Sequence, residues 1–288
     1  MVAAAGLATV VALGLGVTSA GAVSVKPTTP PEFYLSLGAS VSVGVQPVQA
    51  YPKGRPTTHG FANDLVILEA RRGKTLELTK LGCPGETAYE MINGGDHCYH
   101  VGTTQLSDAL AFLRAHHGQR GIVTLDVGFN DVRPCLLDSG LDTTCLSAAT
   151  SSTQSQVEQI VTALKAAAGP EVTFIGVNLY NPYLAADLTG TYSANFVAAS
   201  VTAISQMNDA LADAYAATST RVANVAGAFS IDATKRVRAP GLGTVPKNVK
   251  QVCTLTWMCH HWPYGPNIHP DDHGYWLIAR AVDVALNG

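Results

Sequence analysis

Charge is scarce in this chain. Of 288 residues, 18 are Lys or Arg and 21 are Asp or Glu, for a formal net charge of −3. No block of like charge runs along it and no basic stripe exists, which argues against a polyanion, nucleic-acid or membrane-surface ligand. No Cys-x-x-Cys occurs, and His97, His100, His260 and His261 near the cysteines lack a tidy ligand spacing, so the pattern disfavours zinc. G-x-S-x-G is missing, which removes the nucleophile elbow of the α/β hydrolases as a route to function. There is no internal repeat. Beyond the N-terminal segment, no stretch reaches the roughly 20 apolar residues of a membrane helix.

Residues 1–22 carry no charge and end in Ala20-Gly21-Ala22, an A-x-A-like cleavage signal, so a cleaved secretory signal peptide is expected. No Lys or Arg precedes the apolar run, and the alternative is an uncleaved anchor. Residues 23–32 read as a loose Pro/Thr-rich leader, and residues 33–288 as a single domain. The six cysteines fit export to an oxidising compartment. Six allow 15 connectivities. Nearest-neighbour pairing (Cys83 with Cys98, Cys135 with Cys145, Cys253 with Cys259) is preferred, because each bridge would staple one loop and none falls inside a clear helix. A secreted monomer with no membrane span after cleavage is the expectation.

Helical periodicity marks residues 61–72, 103–117, 154–168, 194–217 and 272–286, the last with Asp272 as its expected cap. Short apolar or β-branched runs lie between them, at 33–39, 76–81, 122–127, 172–177 and 221–225. This alternation predicts a three-layer α/β/α sandwich around a parallel sheet of about five strands. Loops fill 44–60, 131–153 and 226–269, and the last two each hold a cysteine pair. Ligands of such sheets bind beyond the carboxyl ends of the strands.

Three residues of acyl-transfer chemistry fall at those ends or in the final loop. Ser40 follows the first strand, Asn130 follows the third in Gly128-Phe129-Asn130-Asp131, and His269 sits in Ile268-His269-Pro270. A hydroxyl can attack, an imidazole can take its proton, and an amide can stabilise the oxyanion. Gly85, in Cys83-Pro84-Gly85-Glu86-Thr87, follows the second strand. Each has a plainer reading: a capping serine, a left-handed asparagine, a tight-turn glycine, a surface histidine. Ser42 competes with Ser40. Order and shared placement raise all four.

The blocks Tyr34-Leu35-Ser36-Leu37-Gly38-Ala39-Ser40, Gly85, Gly128-Phe129-Asn130-Asp131 and His269-Pro270 resemble those of the SGNH (GDSL-like) hydrolases, and the context is similar to secreted actinobacterial members. The resemblance spans about residues 33–286. It implies a flavodoxin-like fold, a carboxylic ester hydrolase and no cofactor. It also implies Ser40 as nucleophile, His269 as general base and then acid, and an oxyanion hole from Ser40, Gly85 and Asn130. Two positions depart from the pattern. Ala39 stands where the family has Asp, and Pro266 stands three residues before the histidine, where the family has its acid. A Ser40–His269 dyad is therefore expected, with the imidazole held by a backbone carbonyl in residues 262–267 or by an acid from elsewhere. Asp271 and Asp272 are expected to cap the last helix, and Asp131 to anchor its loop. Trp257, Trp262 and Tyr264 either line an acyl or alcohol pocket or pack the loop. The substrate class is an ester, lipid-like or short acyl. The alternatives are polysaccharide O-deacetylation by the same machinery, a non-catalytic binding module and a metal-dependent hydrolase.

Overall fold

Five strands pair into one parallel sheet, with buried runs at its centre: β1 (Glu32–Gly38), β2 (Leu76–Lys80), β3 (Gly121–Asp126), β4 (Val172–Val177) and β5 (Arg221–Ala223), in the order β2-β1-β3-β4-β5. The computed structural model that shows this describes Met1, residues 31–95 and residues 97–288. The expected signal segment and most of the leader lie outside the described residues.

The helices are α1 (Phe61–Ala70), α2 (Ala88–Asn93), α3 (Gln105–Ala115), α4 (Phe129–Val132), α5 (Thr143–Ala167), α6 (Ala194–Ala217), α7 (Val225–Ala228), α8 (Lys247–Leu255) and α9 (Asp272–Asn287). Side-chain alternation along the strands sorts them into two layers. Phe33, Leu35, Leu37, Val123 and Leu125 face α3, α5 and α6. Tyr34, Ile122, Ile175 and Val177 face α1 and α9. Both faces are covered at the centre of the sheet, so β1, β3 and most of β4 are buried, while the edge strands β2 and β5 carry charged residues. The three-layer sandwich is thus the observed architecture. On the α1/α9 side the buried Glu69 takes ion pairs from Arg72 (2.9 Å) and Lys74 (2.7 Å), and Arg72 also reaches Asp283 of α9.

The register fixes where chemistry can sit. Gly38, the last residue of β1, lies beside Asp126, the last of β3, and Leu125 lies beside Gly176 of β4. The segments leaving these strands therefore emerge side by side at one edge of the sheet.

The long loops hold more structure than periodicity reveals. The first contains a hairpin, Gln46–Val48 against Tyr51–Arg55. The third contains a second hairpin, Arg236–Ala239 against Gly243–Pro246, and then α8. In the second, α5 begins at Thr143 rather than near 154, because Asp142 caps it by accepting from Cys145 N (2.9 Å). The first turns of α5 are Ser/Thr-rich and carry no apolar stripe, so periodicity is silent there. The bridges are Cys83–Cys98, Cys135–Cys145 and Cys253–Cys259. Contrary to expectation, Cys145 and Cys253 lie inside helices, α5 and α8. The cap of α9 is Asp271, which accepts from Gly274 N (2.8 Å), and not Asp272, which accepts from Gln46 Nε2 (2.7 Å).

Gly38 is the tightest point of the sheet. Its φ is +122°, and a Cβ there would sit 1.9 Å from the Asp126 carbonyl oxygen. Gly38→Ala should lower unfolding stability by about 3 kcal/mol or more, read from urea denaturation. A loss within about 0.5 kcal/mol would show that β1 and β3 do not close on each other as described.

Candidate active site

The turn after β1 is held onto β3 by Ala39 N donating to Asp126 O (2.8 Å). It presents two serines, which the structure separates. Ser42 is buried, and its hydroxyl donates to Ala39 O (2.6 Å). Ser40 is half-buried and lines a narrow, largely apolar cavity of about 30 Å³. Asn130 and His269 line the same cavity. Three segments more than 80 residues apart in sequence thus converge. Ser40 and His269 share the cavity without a hydrogen bond between them, as is common before substrate orders a site.

Asn130 is carried on α4, which opens at Gly128 with φ +112°. Its Nδ2 donates to Glu86 O (3.0 Å). One amide hydrogen of Asn130 is thereby engaged and a second is left for a ligand. Asp131 caps α2 from the side by accepting Ala88 N (3.0 Å), an anchoring role. Burial holds its carboxyl above the usual range.

Gly85 sits at the third position of the turn Cys83-Pro84-Gly85-Glu86, closed by Glu86 N donating to Cys83 O (3.2 Å). Pro at the second position and φ +92° at Gly85 fit a type II turn. Gly85 is exposed and does not line the Ser40 cavity. Neither its N–H nor that of Ser40 donates to an acceptor among the described residues. The two turns are joined by Gln105, which sequence reading misses. Its buried amide accepts from Gly38 N (2.6 Å), donates to Gly38 O (3.0 Å) and reaches the Glu86 carboxylate.

His269 is buried beneath Ile268, whose carbonyl accepts from Tyr180 OH (2.7 Å). Its Nδ1–H donates to the side-chain oxygen of Asn267 (2.7 Å), and its backbone N–H donates to the same oxygen (3.0 Å). The expected orienting backbone carbonyl is therefore replaced by a neutral side chain two residues upstream. The orientation of that amide is fixed from its other end, because Asn267 Nδ2 donates to Pro52 O (3.1 Å) and Lys53 O (3.3 Å). Nδ2 faces two acceptors, so Oδ1 must face the imidazole. The tautomer follows: Nδ1 carries the proton and Nε2 is left as an acceptor. Burial, and then the Arg133 guanidinium, push the imidazole down to about 4, so it is neutral over most of the pH range.

Of the aromatics before His269, Trp257 is structural, donating Nε1–H to Gln46 Oε1 (3.1 Å). Trp262 is 81% exposed and lines a second, wider cleft that His269 also lines. Tyr264 is not among the residues lining either space. Ligand atoms of Cys83, His97 and Cys98 gather within 4.8 Å, but both sulfurs are joined in a disulfide, which leaves one imidazole.

No protein-family model matches the chain, and no curated protein matches it in sequence. Solved structures do match. An extracellular lipase from Streptomyces rimosus superposes with a TM-score of 0.56 at 15% identity, covering 88% of this chain and 99% of that one. A variant of an acetyl xylan esterase from Geobacillus stearothermophilus gives 0.52 at 13% identity, over 89% and 94%. A protein from Parabacteroides merdae described as a GDSL-like lipase gives 0.50 at 12% identity, over 88% and 94%. The chain therefore has the fold of the SGNH (GDSL-like) hydrolases.

Asp126 also lines the Ser40 cavity and is fully buried. Desolvation raises its carboxyl from 3.8 to about 7, against the lowering effect of the Ser42 N–H that it accepts. A carboxyl raised in this way contributes stability while protonated, below about pH 4, and the contribution is lost as pH rises through about 7. Asp126→Asn keeps an acceptor for Ser42 N–H without the charge. It should match the parent near pH 4 and exceed it at pH 8 by about 4 kcal/mol at most, by chemical denaturation at both pH values. A variant less stable at pH 8 than at pH 4, relative to the parent, would contradict the burial argument.

Proposed function

We propose that this chain is an exported serine esterase that hydrolyses carboxylic esters through a Ser40 acyl-enzyme. The observation that carries the reading is the convergence of Ser40, Asn130 and His269 on one cavity, with the imidazole already held in the base-competent tautomer. Three disulfides and an N-terminal segment with the composition of a signal peptide support export.

The chemistry follows from the groups present. His269 Nε2 takes the Ser40 proton as Oγ bonds to the ester carbonyl carbon, and the carbonyl π electrons move onto its oxygen. That oxyanion is met by the Ser40 N–H and the Asn130 amide, and by the Gly85 N–H only where bound substrate reaches the turn that Glu86 O ties to Asn130, each donor worth about 100- to 1,000-fold in turnover. Collapse breaks the C–O bond to the alcohol, which leaves with the proton from His269. Water then repeats the sequence against the acyl-enzyme. Asn267 accepts from Nδ1–H throughout. As a neutral acceptor it orients the ring and stabilises imidazolium less than a carboxylate would, in keeping with the low basicity of His269.

Incubation with a fluorophosphonate followed by peptide mass spectrometry should place the label on Ser40. Ser40→Ala should abolish labelling and p-nitrophenyl acetate turnover. Labelling at Ser42 would remove Ser40 as the nucleophile, and no labelling together with no turnover would defeat the esterase and favour a binding module. Activity lost only to chelator would favour a metal-dependent hydrolase.

The pH profile tests the histidine. The acid limb of kcat/KM for a neutral ester should fall near pH 4, not near 6.5, because the free enzyme's base titrates there. Asn267→Leu should lower kcat/KM at pH 7 by about 10- to 100-fold, the value of one buried hydrogen bond to a group that becomes charged. Asn267→Asp should retain activity and move the limb upward. Equal activity in parent and Asn267→Leu would remove Asn267 from the mechanism.

A further inference from the structure

A cleft of about 550 Å³ shares Ile268 and His269 with the narrow cavity and is not lined by Ser40. Its walls carry Lys53, Arg133, Tyr192 and the 81%-exposed Trp262, and no Asp or Glu lines it. Both cations are exposed, and neither takes part in an ion pair among the described residues. The chain as a whole is acidic. A concentration of uncompensated positive charge at this one point is therefore not a by-product of composition, and concave walls focus its field.

Both cations are also tied to the reacting groups. Arg133 follows directly on the turn that carries Asn130 and is stapled two residues later by Cys135–Cys145. Lys53 lies on the hairpin whose carbonyls hold the Asn267 amide. Groups mounted in this way keep their distance to the scissile bond. They suit a substrate whose charge sits a short way from its ester.

We infer that the cleft binds an anionic group, phosphate or carboxylate, carried on the ester itself. The uncharged part of the ester then lies in the apolar cavity beside Ser40, and Trp262 supplies an apolar wall for the linking atoms. The inference rests on the esterase reading and adds a substrate class to it. A guanidinium can take either anion through paired N–H groups, and the ammonium adds a point charge.

The test compares charged esters with uncharged partners on the full-length exported protein. O-acetyl lactate is set against O-acetyl lactamide for carboxylate. Dihexanoyl phosphatidic acid, below its micelle concentration, is set against dihexanoylglycerol for phosphate. The readout is the ratio of kcat/KM, anionic over neutral, for the parent, Lys53→Met and Arg133→Met. Both members of a pair meet the same free enzyme, so any change a substitution makes to the basicity of His269 before substrate binds cancels in the ratio.

The parent should favour the anion in at least one pair, and each substitution should lower that ratio by about 10-fold. A preference in only one pair would assign the anion as carboxylate or phosphate. No preference in the parent, or a ratio that survives both substitutions, overturns the inference while neutral-ester turnover and Ser40 labelling keep the esterase standing. Absence of both turnover and labelling brings down the esterase, and the inference with it. Added sodium chloride at 0.5 M should shrink the ratio in the parent, and a ratio that ignores salt also counts against it.

Discussion

The amide of Asn267 is the constraint on which the site depends. One end donates to the carbonyls of Pro52 and Lys53, and the other accepts from both N–H groups that His269 presents on that side. A flipped amide would set its NH₂ against the imidazole and its oxygen against two carbonyls. The hairpin at Tyr51–Arg55 thus decides which nitrogen of a histidine more than 200 residues away carries the proton. That tautomer is the one that lets Nε2 act as a base. The second strand of the hairpin is exposed along most of its length, while Gln46 on the first strand is buried and ties the hairpin to Trp257 and Asp272.

The same economy of neutral groups recurs through the site. Gln105 satisfies both backbone groups of Gly38 with one amide, at the point where a side chain on residue 38 would collide with β3. Asn130 joins the Gly85 turn through Glu86 O. Tyr180 holds Ile268 O just ahead of the histidine. Each is a bond between neutral partners in a dry region, where a missing partner costs about 1–3 kcal/mol. The buried carboxyl in the Ser40 cavity, Asp126, is pushed toward its neutral form, consistent with surroundings that resist charge. His269 responds to the same surroundings in the opposite direction, staying unprotonated. In the proposed mechanism a base that is hard to protonate relies on the oxyanion that forms beside it, which puts weight on the hydrogen-bond donors around that oxygen.

The sheet was legible in the sequence because burial on both faces writes itself as continuous apolar runs, and the strands at 33–39, 122–127 and 172–177 fall within a residue or so of those runs. Helices with an apolar stripe, such as α6, were equally plain. What the sequence hid was structure held by side-chain hydrogen bonds rather than by periodic burial. The start of α5 rests on Asp142, and α9 is capped by Asp271 rather than its neighbour. Asn267 belongs to the same group. Its signal was present as Asn-x-His, since an Asn side chain often accepts from the N–H two residues on, but the family pattern directs attention to position 266. Long-range partners such as Gln105 and Lys53 have no local signature at all.

The departure at Pro266 and the geometry around His269 can be read together. With a carboxylate as its orienting partner, the imidazole would be more basic, and a cation nearby would oppose that effect. Here the partner is neutral and Arg133 adds to the depression of the imidazole. In the proposed mechanism a guanidinium that weakens the proton affinity of His269 is a disadvantage unless the cation does something for the substrate. A negative charge on a bound ester would offset Arg133 at the moment of reaction and raise the basicity of His269 when a proton must be taken. Under the proposed anionic substrate, neutral orientation by Asn267 and a positive cleft beside the histidine belong together, because the substrate would supply the negative charge absent from the orienting residue.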